Sequence, residues 1–490
     1  MKSKNSPVSF APLLDPALNR PPSENLRHIH LMGVCGVGMA SLAGMLKHKG
    51  YRVTGSDHNI YPPMSDFLAA MAVPVMEGYG PGNLDPAPDL VIVGNVITRD
   101  NPEALGLADL RIPYLSMPQA LREFAMKGKR SVVIAGTHGK TTTSALASWV
   151  LETGGCDPGF MVGGICNNFN GNFRDGNGPY FVIEGDEYDT AFFDKGPKFL
   201  HYAPWVTILT SIEFDHADIY QDLDHVLQSF RRLVAIIPPD GLLIANRDDP
   251  LVMQEADQAK CKVITYGDTH GASWKAADIR YSEKGTRLRV LHQGQEYVQL
   301  RTPLYGRHNI SNLLSVAALS HFLKIDRPHL QRAAEQFRGI KRRQEIKGEK
   351  AGILVLDDFA HHPTAVRETI QAVKERYGPR RLIAVFEPRS NSSRRNIFQQ
   401  AYAGAFDRAD MVFIPEPPLM EKIPPEERFS SSELVEDLRK RGQDAAYCPS
   451  TETLLHALIE KSRTGDVILI MSNGAFDNLP DRLLDRLGNL

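Results

Sequence analysis

Ala135-Gly136-Thr137-His138-Gly139-Lys140-Thr141-Thr142-Thr143 follows the apolar run Ser131-Val132-Val133-Ile134 and leads into helix-favouring residues from Ser144 to Glu152. A strand, a glycine-bearing turn that holds a lysine, and a helix, in that order, make a phosphate-binding loop. Amides at a helix start lack intrahelical partners, so one phosphate can accept from several of them with the helix dipole behind. On this reading Gly136, Thr137, Gly139, Lys140, Thr141 and Thr142 cradle a nucleotide, with Lys140 on the outer phosphates and Thr141 on a magnesium ion. The loop is a shortened one. Ile134 stands five positions before Gly139, so the pattern G-x-x-x-x-G-K-[ST] fails and only G-T-H-G-K-T remains. An ordinary strand-to-helix turn with a surface lysine is the plainer alternative.

Upstream, His28-Ile29-His30-Leu31-Met32 reads as a strand, Gly33-Val34-Cys35-Gly36-Val37-Gly38 as a glycine turn, and Met39 to His48 as a helix ended by Gly50. A second strand, Tyr51 to Asp57, closes a βαβ unit and leaves Asp57 24 residues past Gly33. Dinucleotide folds have this layout, with glycines admitting a pyrophosphate and the acid meeting a sugar hydroxyl. The glycines are spaced G-x-x-G-x-G, which favours a phosphate cradle over a dehydrogenase site. Leu90-Val91-Ile92-Val93 is the unbroken apolar run of a buried parallel strand. The polar loop from Gly94 to Glu103 falls where open α/β sheets bind ligands, although Asn95 and Asn101 would equally serve as turn residues. Residues 1–26, rich in Pro, Asn and Ser, read as a poorly ordered lead-in.

Downstream of the phosphate loop, Asn167, Asn168, Asn170, Asn172 and Arg174 lie in a glycine-rich segment that reads as an irregular loop suited to an anionic or sugar ligand. Tyr180 to Ile183 is a short apolar strand ending in Glu184-Gly185-Asp186-Glu187. A carboxylate at a strand's end, in the domain of a phosphate loop, is a candidate magnesium ligand, and Glu184 stands first. Trp205 to Thr210 is a further strand, and His216, among the acids that follow it, is a candidate second ligand. Span 273–304 is β-like. Gly306-Arg307-His308-Asn309-Ile310-Ser311-Asn312 precedes an expected helix from Leu313 to Leu323, with Ser311 and Asn312 as expected caps. Beyond residue 336 strands and helices alternate again. The strands 352–356, 381–386, 411–415 and 466–471 predict a second doubly wound sheet. Asp357-Asp358-Phe359-Ala360-His361-His362 and Glu387-Pro388-Arg389-Ser390-Asn391 follow two of them. Arg343, Arg389, Arg394 and Arg395 are candidates to grip phosphates or carboxylates in fork geometry.

A chain of 490 residues predicts two to four domains, and 42% apolar with 23% charged residues is a globular composition. The expected division is 1–127, 128–335 and 336–490. A net charge of -2 offers no basic footprint for nucleic acid. Five scattered cysteines, without C-x-x-C spacing, point to neither a disulfide framework nor a zinc site. No secretory signal and no membrane-length apolar run is present, so a cytoplasmic protein without membrane insertion is expected.

GVCGVGMASLAG, AGTHGKTTT, EGDEYDTAFFD, SIEFDHADIY, GRHNISN, RRQE and DDFAHHPT occur in an order that resembles the Mur ligases of bacterial cell-wall synthesis over nearly the whole chain. The segments EGDEYDTAFFD, SIEFDHADIY and FEPRSNSS are most similar to the branch that joins UDP-N-acetylmuramic acid to the recycled tripeptide L-alanyl-γ-D-glutamyl-meso-diaminopimelate. The resemblance implies three α/β domains: a Rossmann-like first, a central P-loop-type ATPase domain with a mostly parallel sheet, and a Rossmann-like last. It implies that Gly33, Gly36, Val37, Gly38, Asp57 and Asn95 bind the UDP-sugar, with Asn170, Asn172 and His138 toward its muramoyl group. ATP would be held by the phosphate loop together with Asn309, Arg343 and Asp358, and Mg2+ by Thr141, Glu184 and His216. Lys140, His138, Glu184 and His216 would be the catalytic set, in a monomer or weak homodimer. Two departures stand out. Where several members carry a carbamylated lysine, this chain offers Phe230, Arg231 and Arg232. Where the alanine-adding relative has His-Arg, it has Arg389-Ser390, so Arg389, Ser390, Asn391 and Arg394 are expected to contact the longer peptide. Rival readings are the alanine-adding ligase, a nucleotide-gated switch and a dinucleotide oxidoreductase.

Overall fold

Short apolar runs separated by helical stretches bury both faces of a parallel sheet, and the computed structural model, which describes residues 12–22, 25–62 and 64–488, is built mostly this way. Five strands near the start, β1 (His28–Met32), β2 (Arg52–Asp57), β3 (Val75–Glu77), β4 (Leu90–Val93) and β5 (Tyr114–Ser116), pair in the order β3-β2-β1-β4-β5, all parallel. The helix Val37–His48 connects β1 to β2, and Gly36 is its N-cap.

Against this sheet lies a polar knot in which the His30, Ser56 and Glu103 side chains are fully buried. His30 Nε2 and Ser56 Oγ each lie 2.8 Å from Glu103 Oε1. Glu103 Oε2 accepts from Asn83 Nδ2 at 2.6 Å and Gly80 N at 3.2 Å. Burial alone would raise the Glu103 carboxyl, but hydrogen bonds from His30 and Asn83, with the His30 charge and Ser56, hold it below its usual value. The knot ties β1 and β2 to the 80–84 turn, and the Ser56 carbonyl in turn accepts from Gly33 N and Val34 N at 2.8 and 3.1 Å.

The described residues up to 133, with 158–163 and 173–204, form one compact unit, and 134–157, 164–172 and 205–488 form another. In the first, the start of β7 (Gly159–Cys166, after β6, Arg130–Ala135) pairs parallel with β9 (Tyr180–Gly185), which follows β8 (Gly171–Arg174). Residues 173–204 join this unit through aromatic packing: Phe173 meets Phe67 edge-on at 5.9 Å and Phe193 meets Tyr114 at 4.9 Å. The lead-in differs from expectation where it is described. Leu14 is buried beside Met32 and Val91, and Asp15 pairs with Arg111 at 2.7 Å, because an apolar residue flanked by an anchoring acid outweighs the surrounding prolines. Residues 1–11, 23 and 24 of that expectation lie outside the described residues.

In the second unit β12 (Pro204–Leu209), β13 (Leu242–Asn246) and β14 (Lys262–Tyr266), which follow the short hairpin β10 (Asp189–Ala191) and β11 (Asp194–Pro197) in the chain, pair in parallel. The β-like span becomes three antiparallel strands, β15 (Trp274–Ser282), β16 (Gly285–His292) and β17 (Gln295–Thr302). The last sheet contains β18 (Glu345–Lys350), β19 (Ile353–Asp358), β20 (Leu382–Phe386), β21 (Met411–Pro415), β22 (Ala445–Cys448) and β23 (Val467–Met471) in the order β18-β19-β23-β20-β21-β22. Only β18 runs antiparallel. Side chains alternate faces along a strand. Leu354, Leu356, Leu382 and Ala384 therefore enter one core under the Pro363–Tyr377 helix, and Ile353, Val355, Ile383 and Val385 enter another under the Leu479–Leu487 helix.

Two local expectations are corrected. The helix expected from Leu313 runs Arg307–Phe322, with Gly306 as N-cap, so Ser311 and Asn312 lie inside it and cap nothing. A left-handed Gly306 starts the helix earlier than the apolar run suggests, and Asn309 Nδ2 donates to the Tyr305 carbonyl at 2.8 Å. The 167–174 segment is a turn only over 167–170. Gly171–Arg174 is a strand, and Asn167 and Asn168 donate through Nδ2 to the Arg338 and Gln336 carbonyls at 3.0 and 2.8 Å, pairing with backbone that no strand satisfies.

Glu103→Gln would turn an amide NH2 toward the donors Asn83 and Gly80. Its expected cost is roughly 2 kcal/mol at pH 7. A carboxyl held below its unfolded value of about 4.3 stabilises above that pH and loses this contribution as pH falls through its folded value. Thermal melts should therefore show a large wild-type advantage at pH 7 that shrinks below pH ~4; an equal gap at both pH values would contradict the account.

Candidate active site

β6 ends at Ala135, the turn follows, and the Lys140–Thr153 helix begins, as a phosphate loop requires. The turn has no slack. Gly136 has φ +126°, and a Cβ there would lie 2.2 Å from Thr210 Oγ1 and 2.8 Å from Ser211 N. Gly139 has φ +80°, and a Cβ there would lie 2.7 Å from Asn312 Oδ1. Only glycine tolerates such conformations and contacts. The residues after β12 clamp the same turn. Thr137 N donates to the Ser211 carbonyl at 2.9 Å, His138 N to Ser211 Oγ at 3.0 Å, and Thr210 Oγ1 to the His138 carbonyl at 2.5 Å. Lys140 Nζ donates to the Gly136 carbonyl at 2.7 Å, folded over its own loop.

Arg343 reaches this loop, with Nη2 3.5 Å from Thr141 Oγ1 and its guanidinium 4.8 Å above the Phe359 ring. Asp358 is buried at the end of β19 and accepts from Gln344 N at 2.8 Å and Ala360 N at 2.7 Å. Asp358 thereby shapes the chain beside Arg343. Asn309 is one step further back, its Oδ1 3.4 Å from Asn312 Nδ2.

Glu213, which the sequence reading passed over, is the hub of the site. Its amide donates to Thr137 Oγ1 at 2.8 Å. Its Oε2 lies 3.2 Å from both His138 Nε2 and His362 Nδ1, and Thr364 Oγ1 donates to it at 2.9 Å. Burial would raise the Glu213 carboxyl, but the His138 and His362 imidazoles and Thr364 hold it well below the usual range. Burial pushes the His362 imidazole down. The signal for both residues was positional, each standing a few residues past the carboxyl end of an apolar parallel strand.

His216 adopts φ +54° and its amide donates to Asp215 Oδ1 at 2.7 Å. Asp215 is buried. Burial would raise its carboxyl, and His216, His361 and the Ser392 hydroxyl hold it far below its usual value. Ser392 Oγ donates to Asp215 at 2.7 Å and Asn391 Nδ2 to Asp218 at 2.8 Å, so the 387–395 loop hangs on the 215–218 segment. Ser390 Oγ donates to Ser393 Oγ at 2.8 Å. Arg394 is buried and donates to Asn391 Oδ1 at 2.7 Å and the Leu419 carbonyl at 3.0 Å, which commits it to the loop's own structure. Arg389 lies against Gly474, with Nη1 3.6 Å from Glu387 Oε1. Phe230 is buried, and Arg231 pairs with Glu255 through Nε and Nη2 at 3.1 and 2.9 Å, so this stretch is structural. Asn170 takes the left-handed region at φ +50°, and Asn172 lies on β8.

Two other groups of candidates belong to the first unit. Glu184 closes β9, its Oε1 accepting from Gly163 N at 2.5 Å. Asp57 closes β2; its carboxylate accepts from Cys35 N at 2.8 Å and Asn59 N at 3.0 Å, bracing the turn that carries Gly33, Gly36, Val37 and Gly38. Asn95 is exposed after β4, whereas Asn101 caps the Pro102–Leu110 helix.

Gly136→Ala is expected to weaken binding of a non-hydrolysable ATP analogue at least tenfold by calorimetry, since the turn must open to admit the methyl group. Gly128→Ala, a left-handed glycine with nothing within 4 Å of its Cβ, serves as the control and should leave it unchanged. Equal affinities in both variants would break the link between turn geometry and nucleotide binding.

Residues 28–129 match the sequence family described as "Mur ligase family, catalytic domain", 134–320 the "Mur ligase middle domain", and 342–474 the "Mur ligase, glutamate ligase domain". The UDP-N-acetylmuramate--L-alanyl-gamma-D-glutamyl-meso-2,6-diaminoheptandioate ligase of Escherichia coli (strain K12) is 38% identical over 94% of this chain and 98% of its own length. A UDP-N-acetylmuramate--L-alanine ligase from Caldanaerobacter subterraneus subsp. tengcongensis is 31% identical over 94% of this chain and 98% of its own. Among solved structures, a murein peptide ligase from Psychrobacter arcticus superimposes with a TM-score of 0.71 at 34% identity, covering 95% of this chain and 99% of that one. With its phosphate loop, its mostly parallel sheets and these full-length relatives, the chain belongs to the Mur ligase family.

Proposed function

We propose that this chain joins UDP-N-acetylmuramic acid to the tripeptide L-alanyl-γ-D-glutamyl-meso-diaminopimelate, releasing ADP and phosphate, in the recycling of cell-wall peptide. The carrying observation is the phosphate loop with Lys140, met by Arg343 from beyond residue 336, in a chain similar over 94% of its length to the E. coli ligase of that name.

A carboxylate does not acylate an amine at neutral pH, so it must first be activated. The lactoyl carboxylate of the muramic acid attacks the γ-phosphorus of ATP, the bond to the bridging oxygen breaks, and ADP leaves. The amine of the tripeptide's alanine then attacks the acyl phosphate, loses a proton, and a tetrahedral intermediate collapses with phosphate as leaving group. Charge and positioning dominate such transfers. Lys140 and Arg343 offset the phosphate charge, while the rigid Gly136–Gly139 turn presents amides to it. His138, held by Glu213, is assigned to the muramoyl side of the loop together with Asn170 and Asn172.

Thr141, Glu184 and His216 would hold Mg2+. Hydroxyl and carboxylate oxygens, completed by phosphate oxygens, form a mainly hard donor set that suits this ion, with one imidazole. When bound, it neutralises charge on the transferring phosphoryl group. Gly33, Gly36, Val37, Gly38, Asp57 and Asn95 are assigned to the UDP-sugar, Asn309 and Asp358 to the ATP site, and Arg389, Ser390, Asn391 and Arg394 to the peptide. Three domains, 1–127, 128–335 and 336–490, are supported by the separately matched segments. We assign the protein to the cytoplasm as a monomer or weak homodimer. Among the described residues no helix is long and apolar enough to cross a membrane.

The second reading, addition of free L-alanine, is favoured by the alanine-ligase relative. Phosphate release from ATP and UDP-N-acetylmuramic acid should be rapid with tripeptide and at least a hundredfold slower with L-alanine; the reverse order would overturn the peptide assignment. Lys140→Ala should abolish the release. Arg389→Ala should raise KM for tripeptide about tenfold with KM for ATP unchanged, and an unaltered peptide KM would remove Arg389 from the peptide site.

A further inference from the structure

Beyond the roles already assigned, His138, Glu213 and His362 together form a donor set for a metal ion. His138 Nε2, Glu213 Oε2 and His362 Nδ1 all lie within 4.8 Å of one another, and both nitrogens are 3.2 Å from the same carboxylate oxygen. Two donors bound at about 2.1 Å to one tetrahedral ion stand about 3.4 Å apart, so little movement is needed to enclose an ion. The His138 and His362 rings lie 4.7 Å apart between centroids, inclined at 46°.

His362 Nδ1 lies 3.3 Å from Thr364 N as the cap of the Pro363–Tyr377 helix, and an ion bound at Nδ1 takes over the one lone pair that accepts this long hydrogen bond. The same Nδ1 lies 3.2 Å from the Glu213 oxygen. His362 is 7% exposed while His138 and Glu213 are 22% and 33% exposed, giving a site with a buried floor and an open mouth.

We propose that His138, Glu213 and His362 form a two-nitrogen, one-oxygen site for a divalent transition ion of the Zn2+ class, with the fourth position open. Two imidazoles and one carboxylate suit Zn2+ or Co2+, whereas Mg2+ prefers oxygen and keeps its waters. The bound ion ties the phosphate loop through His138 to the 361–364 turn.

Co2+ provides the test, because its visible d–d absorption reports coordination number directly. The full-length chain, freed of metal and kept in excess Mg2+, is expected to bind one equivalent of Co2+ with a four- or five-coordinate spectrum that one equivalent of Zn2+ abolishes. Glu213→Gln, and His362→Asn, which retains a capping side chain, should each weaken binding at least tenfold while circular dichroism stays that of the wild type. A His292→Ala/His321→Ala variant, which removes a histidine pair 4.9 Å apart elsewhere, should keep the spectrum. An octahedral spectrum, or equal affinity in the wild type and in folded Glu213→Gln and His362→Asn, would overturn the site. Should one of the two variants fail to fold, the other decides on the same criterion, and histidine-to-cobalt NMR shifts of the wild type decide independently.

Discussion

The contact between the Gly136–Gly139 turn and the residues just past β12 is the constraint on which the site rests. Gly136 admits no side chain because the Thr210 hydroxyl and the Ser211 amide occupy its Cβ position. Thr137, His138 and Thr210 then lock the two segments together by backbone-directed hydrogen bonds. A turn held from one side by main chain presents its remaining amides in fixed directions, which is how backbone binds phosphate without reorganising. Lys140 and Thr141 inherit their positions from that fixture.

Charge then organises what surrounds the loop. Glu213 and Asp215 are acids in poorly solvated positions, and each is stabilised by imidazoles and hydroxyls: His138, His362 and Thr364 for the first, His216, His361 and Ser392 for the second. A buried carboxylate without such partners would be neutral or strongly destabilising. The acids thus connect the segment after β12 to the loops after β19 and β20, from which His362 and Ser392 come. Carboxyl ends of parallel strands supply all of these residues, in keeping with the general location of ligand sites in open α/β sheets.

Several residues that look like ligand contacts are spent on holding the chain. Asp57 braces its glycine turn through the Cys35 amide, Arg394 fills the interior of its own loop, and Asn167 and Asn168 stitch the 165–168 stretch to 336–341. Polar side chains at a sheet's carboxyl edge serve two demands at once, since loops there leave backbone groups unpaired that must find partners. Residue type and location alone do not separate the two roles.

The strands were legible in the sequence because buried parallel strands need continuous apolar runs: β1, β4 and β21 occupy the residues that the hydropathy pattern marks. The phosphate loop was legible because strand, glycines and lysine are local in the chain. β18 and β22 were not, since Glu345–Lys350 is a polar edge strand and Ala445–Cys448 is only four residues long, and each is defined by its neighbour rather than by its own composition. The early start of the Arg307–Phe322 helix depends on the backbone conformation of Gly306, which residue identity permits but does not dictate. Local order of residues therefore determined the fold class, the nucleotide loop and the family. Tertiary structure alone decided that Glu213 joins His138 to His362, residues 224 positions apart in the chain, because that meeting depends on how two separately built sheets bring their strand ends together.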